Sequence, residues 1–411
     1  MKSRGTHVIL VLMVILSLGA AGVGANESIV FRTWWGVTGP RIELLEGMFR
    51  QFDEETGIQV KYESPATNTT QYLDRLIIDS VTGTELDVVL TGGLWTADVI
   101  DAGIVRPLDD FLAQVPELKN DIFPAIWEGI TYKGQVWALP FAGGPQRVTF
   151  QNKDMFLARG LEPGEAAVVS WEAFSKYAQR LTQDLNGDGQ PDVFGIQDVR
   201  NQIYAFYWPN GADLFNADGT DFGFTSPEAI GALEFMLELQ QRGVVGGAFA
   251  SATAGMTVST GPFSLQSFRA TLPFDLDMTL PPQNTPKPRT LSSLDLLTLA
   301  SGSSRTEAGW KFMLFLLRPD VHANWAVQTG FPPVRQSEVR TRVFQAAINS
   351  DPLYRVLGEM YDAAVLWPLY PDSVSIWNIL RSAVANVFRG QSPRAAMENA
   401  QRQAQQYLVR E

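Results

Sequence analysis

The chain contains no cysteine among its 411 residues. Disulfides, thiolate metal sites and a cysteine nucleophile are thereby excluded, as is the cysteine on which a bacterial lipid anchor is built. Histidine is nearly as scarce, with only His7 and His322. A histidine-rich zinc site is ruled out, and a Ser-His-Asp triad would rest on a single imidazole. No glycine-rich phosphate loop of the Walker type is present. Basic residues are short as well: 32 Lys and Arg stand against 44 Asp and Glu, for a net charge of −12. So acidic a chain is a poor nucleic-acid binder, and the acidity otherwise bears on solubility. The chief apolar run, Val8 to Leu18, is shorter than the roughly 20 residues a membrane-crossing helix needs.

That run has a meaning of its own. Lys2 and Arg4 precede it and the small residues Val23, Gly24 and Ala25 follow it, in the charged, apolar, small-residue order of a secretory signal. Residues 1–25 are therefore expected to be a signal peptide, with Gly19 and Ala21 offering an alternative cleavage point, and the mature protein is expected in the periplasm. Cleavage after Ala25 leaves 386 residues with 30 basic and 44 acidic side chains, a charge of about −14. Single cores stop growing at roughly 250 to 300 residues, so two lobes are expected, and 45% apolar composition is enough to fill both.

Ile29 to Thr33 reads as a strand. Ile42, Leu45, Met48, Phe49 and Phe52 form a helical stripe that Gly57 ends, and Ile58 to Tyr62 alternates as a second strand. Leu86 to Leu90 is a third, left through Thr91, Gly92, Gly93, Leu94 and Trp95. Strand, helix, strand is the unit of a parallel α/β sheet, whose ligands sit beyond the C-terminal ends of its strands. Trp34, Trp35 and Trp95 fall at such ends. Adjacent side chains on an extended segment point to opposite sides, so one of the first pair, Trp35, is expected to face a cleft. Val136 to Phe141 is another strand, and Gly143, Gly144 and Pro145 read as a break where the chain crosses between lobes. Helices then dominate, opened by Ser226 with Pro227, by Thr306 with Glu307, and by Ser392 with Pro393. Residues 281–289, with four prolines, read as a surface loop.

Asp184, Asn186, Asp188, Gly189 and Asp192 have the spacing of a calcium loop, but Gly195 stands at the twelfth position where a bidentate glutamate belongs. A weak calcium candidate and a polar turn are both compatible with it. Asp87 could serve a ligand or the fold, and Arg147 reads as a solvated side chain. A glycosidase-type carboxylate pair stays open, since only geometry selects among 44 acids.

Several separated segments resemble the family 1 extracellular solute-binding proteins, whose best-known members bind maltose and related sugars. Trp34, Trp35 and the helix to Glu55, with Thr56 and Gly57, resemble that family's opening. Phe150 to Asp154 resembles its Tyr-Asn-Lys-Asp segment, with Gln151 as a departure. Ser226 to Gly243 is similar to its Ser-Pro-Glu helix. Gly255, Met256, Gly261, Pro262 and Phe263 resemble a strand and a Gly-Pro-Trp motif. Thr306 to Pro333 resembles its Trp-containing helix and Gly-Phe-Pro turn, and Val374 to Gly390, with Trp377, its site-lining helix. The resemblance spans nearly the whole mature chain.

It implies a two-lobed α/β periplasmic-binding-protein fold with hinge crossings near Gly143, Leu272 and Thr329. The first lobe would be 26–142 with 273–328, and the second 143–272 with 329–411. It also implies a monomer that captures a mono- or oligosaccharide and delivers it to an ABC permease in the inner membrane, with no catalysis and no cofactor. Trp377 and Phe263 match site-lining aromatics. Trp35, Trp95, Tyr204, Trp208 and Tyr370 join them as candidate ligand contacts, each with core packing as the alternative. Trp310 and Trp325 lie on apolar helical stripes and read as core. Glycerol-3-phosphate or another anionic polyol is the alternative ligand, and a secreted glycan-processing enzyme the alternative class.

Overall fold

A computed structural model describes residues 27–35, 40–65, 68–164 and 170–408; the expected signal peptide lies outside the described residues. The chain opens with β1 (Ser28–Arg32), whose Ile29, Val30 and Phe31 are buried on both faces of the strand. Helix Pro40–Thr56 returns over it, burying Leu45, Met48, Phe49 and Phe52, and leads into β2 (Gln59–Glu63), which pairs in parallel with β1. Helix Thr69–Thr82 is capped by Asn68, whose side chain accepts the Gln71 N–H at 3.0 Å, and closed by Gly83 in the left-handed region. β3 (Val88–Gly92) then pairs in parallel with β1 on its other side.

β4 (Val105–Arg106), the small hairpin of β5 (Thr131–Tyr132) and β6 (Gln135–Val136), and β7 (Leu139–Pro145) complete the first pass through this lobe. The second lobe is built on β8 (Thr149–Asn152), β9 (Phe194–Ile196), β10 (Ala254–Thr257) and β11 (Leu276–Thr279), in the order β11-β8-β10-β9. The chain then returns as β12 (Thr290–Ala300), antiparallel to β3, β4 and β7, and much later adds β13 (Ala364–Leu366) parallel to β12. The first sheet runs β13-β12-β3-β1-β2, with β4 and β7 also on β12. Three buried clusters follow. One fills the first lobe, one fills the second with helices Pro227–Gln241, Ser373–Val387 and Pro393–Ala404, and a third joins β8 and β11 to helices Pro319–Thr329 and Arg342–Ser350.

The backbone departs from the sequence expectations at three places. Gly143 to Pro145 do not break a strand: they are its last residues, hydrogen-bonded along β12. Gly143 and Gly144 have φ of 149° and 126°, extended backbone open to glycine, and a Cβ on Gly143 would collide with the Ser293 carbonyl oxygen. The crossing falls just after, between Pro145 and Thr149. Second, the return does not begin at residue 273, because Leu276 to Thr279 pair in register with β8. It runs instead through the proline-rich segment, where Pro281, Pro282 and Gln283 are buried rather than forming a surface loop. Leu272 caps a helix inside the second lobe and Phe274 packs in the third cluster. Third, residues 329–411 do not belong wholly to the second lobe, since β13 is a strand of the first sheet.

His322, fully buried, places Nδ1 2.6 Å from Glu338 Oε2 and Nε2 2.5 Å from the Phe141 carbonyl oxygen. A carbonyl oxygen only accepts, so Nε2 carries a proton, and both ring nitrogens are occupied. This imidazole ties helix Pro319–Thr329 to β7 and is not available to activate a serine. Among the described residues no helix is long and apolar enough to cross a membrane.

Candidate ligand-binding cleft

The ends of β1 and β3, the paired strands β7 and β12, and helix Ser373–Val387 enclose a cavity of about 720 Å³. Trp34, Trp35, Arg41 and Gly92 to Trp95 form its first-lobe wall; Tyr204, Phe263, Trp377, Asn378 and Arg381 form the facing wall. Gly143, Gly144 and Ser292 to Asp295, from the strands near the crossing, make the floor. A cleft beyond the C-terminal ends of parallel strands is where the architecture of the first lobe places a ligand.

Five of the seven residues singled out from sequence border this cavity: Trp35, Trp95, Tyr204, Phe263 and Trp377. Trp34 borders it as well, contrary to the alternation argument, because β1 ends at Arg32 and the chain bends at Trp34 and Trp35. Tyr204 and Trp377 stack at 4.0 Å with 20° between their planes, and Trp367 meets Trp377 edge-on at 6.0 Å. Trp35 stacks on Phe141 and Trp325, and Trp95 meets Tyr72 edge-on at 5.6 Å.

Two candidates lie elsewhere. Trp208 is fully buried behind Tyr204, stacked on it at 6.2 Å and packed on Trp367, so it supports the wall without facing the cavity. Tyr370 packs against Phe215 and Phe222, and its hydroxyl donates to the Tyr407 carbonyl oxygen at 2.9 Å. For Tyr370 core packing, the alternative to ligand contact, is what the segment shows: it docks into the second-lobe core.

Charged residues at the cavity were largely missed. Arg147 is not a solvated side chain: it lies 4.9 Å over the Tyr204 ring, and its Nε donates to Gln202 Oε1 at 2.7 Å. Burial pulls the guanidinium below its ordinary value and pushes the Tyr204 phenol well above its own. Arg41 sits over Trp35 and Phe331 at 5.7 and 5.2 Å. Arg381, one turn beyond Trp377, has no ion pair or hydrogen bond among the described residues. Burial pushes the Asp295 carboxyl up to about 7, against the opposing pull of the Trp35 indole N–H and of Arg41. A sequence signal for Arg381 existed in its i+4 spacing from Trp377. For Asp295 it was a lone carboxylate inside the apolar run Leu294 to Leu297.

Asp87 faces away from the cavity. It accepts the Val30 N–H and pairs with Arg305, each at 2.8 Å, and is structural. In the Asp184 loop the carboxylates are taken by backbone N–H groups, Asp184 by Gly187 at 2.6 Å and by Gly189 at 2.8 Å, and Asp192 by Leu185 at 2.7 Å. Among the described residues no group of three or more His, Asp or Glu is placed to hold a metal ion.

Two α/β lobes around an aromatic cleft define a solute-binding protein in the broad sense. The family model for bacterial extracellular solute-binding proteins matches residues 38–323, and the chain belongs to that family. A putative binding protein of Brucella abortus is 25% identical over 414 residues, covering 96% of each chain. The maltotriose-binding protein of Pyrococcus abyssi is 24% identical over 320 residues, covering 72% of this chain and 64% of that one. Among solved structures, the sugar-binding protein MalE of Xanthomonas citri superposes with a TM-score of 0.78 at 18% identity, covering 93% of this chain and 97% of that one. UgpB from Mycobacterium tuberculosis, in complex with glycerophosphocholine, does so with 0.78 at 21% identity, covering 94% and 99%.

Proposed function

We propose that this protein is the periplasmic receptor of an ABC importer, a monomer that captures a mono- or oligosaccharide between its lobes and hands it unaltered to the permease. The observation that carries this reading is the pairing of aromatic walls. Trp34, Trp35 and Trp95 on the first lobe face Tyr204, Trp377 and Phe263 on the second. A pyranose offers apolar C–H faces that suit rigid rings, while its hydroxyls need buried polar partners. Ser292 Oγ and Trp34 Nε1 supply such partners, both buried and unbonded. The maltotriose-binding and MalE relatives lend further support. Closure would proceed about the crossings that follow β7 and β11.

One observation favours a second reading. Arg381 lines the cavity without an ion pair or hydrogen bond among the described residues, and Arg147 lies on the same side, over the Tyr204 ring and outside the lining itself. Two guanidiniums on one side suit a phosphorylated polyol, and relatives that bind glycerol-3-phosphate are 22% identical over 351 residues. Tryptophan emission and thermal melting against maltotriose, α-D-tagatose, glycerol-3-phosphate and glycerophosphocholine separate the two. A solute at 100 times its Kd adds about 2.7 kcal/mol of stability. A response to the sugars without product formation supports the first reading; a response confined to the phosphoesters replaces it with the second.

A further inference from the structure

Asp295 stands where β12 leaves the first-lobe core and enters the cleft. Its Oδ2 accepts the Trp35 indole N–H at 3.2 Å, while Oδ1 has no hydrogen-bond partner among the described residues and the side chain borders the cavity. Three groups face it from the elements packed around it. Trp35 comes from the end of β1. Arg41 comes from helix Pro40–Thr56, within electrostatic reach but without an ion pair at contact distance. The Tyr361 hydroxyl comes from the short turn Met360–Ala363, buried, unbonded, and kept protonated by that burial. Tyr62 acts on Arg41, and Glu338 on Tyr361, rather than on Asp295 itself.

A carboxyl group in this partly covered corner, with half its hydrogen-bonding capacity unused, is costly to the fold. Because the residue lines the cavity, a solute there can use the oxygen that Trp35 leaves unpaired. We propose that Asp295 is a specificity-determining residue of the cleft: Oδ1 accepts the proton of one solute hydroxyl while Arg41 donates to the oxygen of its neighbour. The corner thereby selects a vicinal diol. This rests on reading the cleft as a carbohydrate site.

The ionised carboxylate is the stronger acceptor. With a midpoint of about 7, its ionised fraction rises from about 3% at pH 5.5 to about 97% at pH 8.5, an affinity gain of up to roughly thirtyfold for a neutral diol. Calorimetric titration of the mature protein with maltotriose, α-D-tagatose and glycerophosphocholine at both pH values, for wild type and Asp295→Asn, tests the assignment. Asn keeps the shape and an acceptor for Trp35, and thermal melting checks that it folds. For a probe that binds, the variant is expected to lose about tenfold or more at pH 8.5, and the rise with pH is expected to disappear. A variant that binds as wild type does, or that retains the pH slope, overturns the role of Asp295 alone. So does a wild type whose affinity for a sugar is flat with pH, whatever the variant's fate. Silence of the wild type toward all three probes overturns the carbohydrate reading and the assignment built on it.

Discussion

Replacing Asp295 by Asn should stabilise the protein, and by an amount that depends on pH. In an unfolded chain this carboxyl titrates near 3.9; in the fold, burial pushes it up to about 7. The folded state therefore binds the proton more tightly, and stability falls as pH rises from about 4 to about 7, then levels off. Three units correspond to about 4 kcal/mol, and water reaching the open cleft sets the expected loss at about 2 to 4 kcal/mol. Asn has no such loss. Urea denaturation followed by tryptophan emission should show wild type and variant nearly equal at pH 4 and separated by that amount at pH 8.5. A two-lobed chain need not unfold in one step, so the first-lobe transition is the one to compare. An Asn variant no more stable at pH 8.5, or a gap that does not change with pH, would refute the reasoning. A gain in stability with a loss of affinity would mark Asp295 as retained for binding.

Trp377→Ala should lower solute affinity about fivefold or more, because the variant loses both the ring and the surface that holds Tyr204 flat, while Trp310→Ala, in the first-lobe core, should cost about 3 to 5 kcal/mol of stability. Titration and melting of the two variants check this, and equal affinity loss in both would point to general unfolding. Gly143→Ala should destabilise by several kcal/mol, since its φ disfavours a side chain and the new Cβ meets the Ser293 carbonyl oxygen. A melting temperature within a degree of wild type would show that the floor strands can shift.

Local signals carried the sequence reading furthest where one segment decides the outcome. The strand-helix-strand opening is legible because Ile42, Leu45, Met48, Phe49 and Phe52 keep helical period between two short β-prone runs, and Ser226 and Ser392 cap helices as their spacing indicates. Trp35, Trp95, Tyr204, Phe263 and Trp377 could be placed at the cleft from strand ends and from family resemblance. What failed depends on distant partners. Gly143 and Gly144 look like a break until β12 is laid beside them, and Leu276 to Thr279 change lobe because β8, more than a hundred residues earlier, offers an open edge. Tyr370 and Trp208 went wrong for a similar reason, since an aromatic near a proline or a turn is drawn into whichever core stands closest. Arg41 and Asp295, over 250 residues apart, have meaning only together.

β12 has a consequence for the order in which the chain acquires its structure. The first lobe begins at Ser28, yet β12, the strand that pairs with β3, β4, β7 and β13, is not complete until Ala300 has been synthesised. Until then β3 and β7 expose edges that only β12 covers, and closing that gap carries a long loop-closure cost. The four strands of the second sheet, by contrast, all lie between Thr149 and Thr279. They can pair while the first lobe is still waiting. A fold whose first-made half is finished by its later half lacks its complete first sheet until late in synthesis.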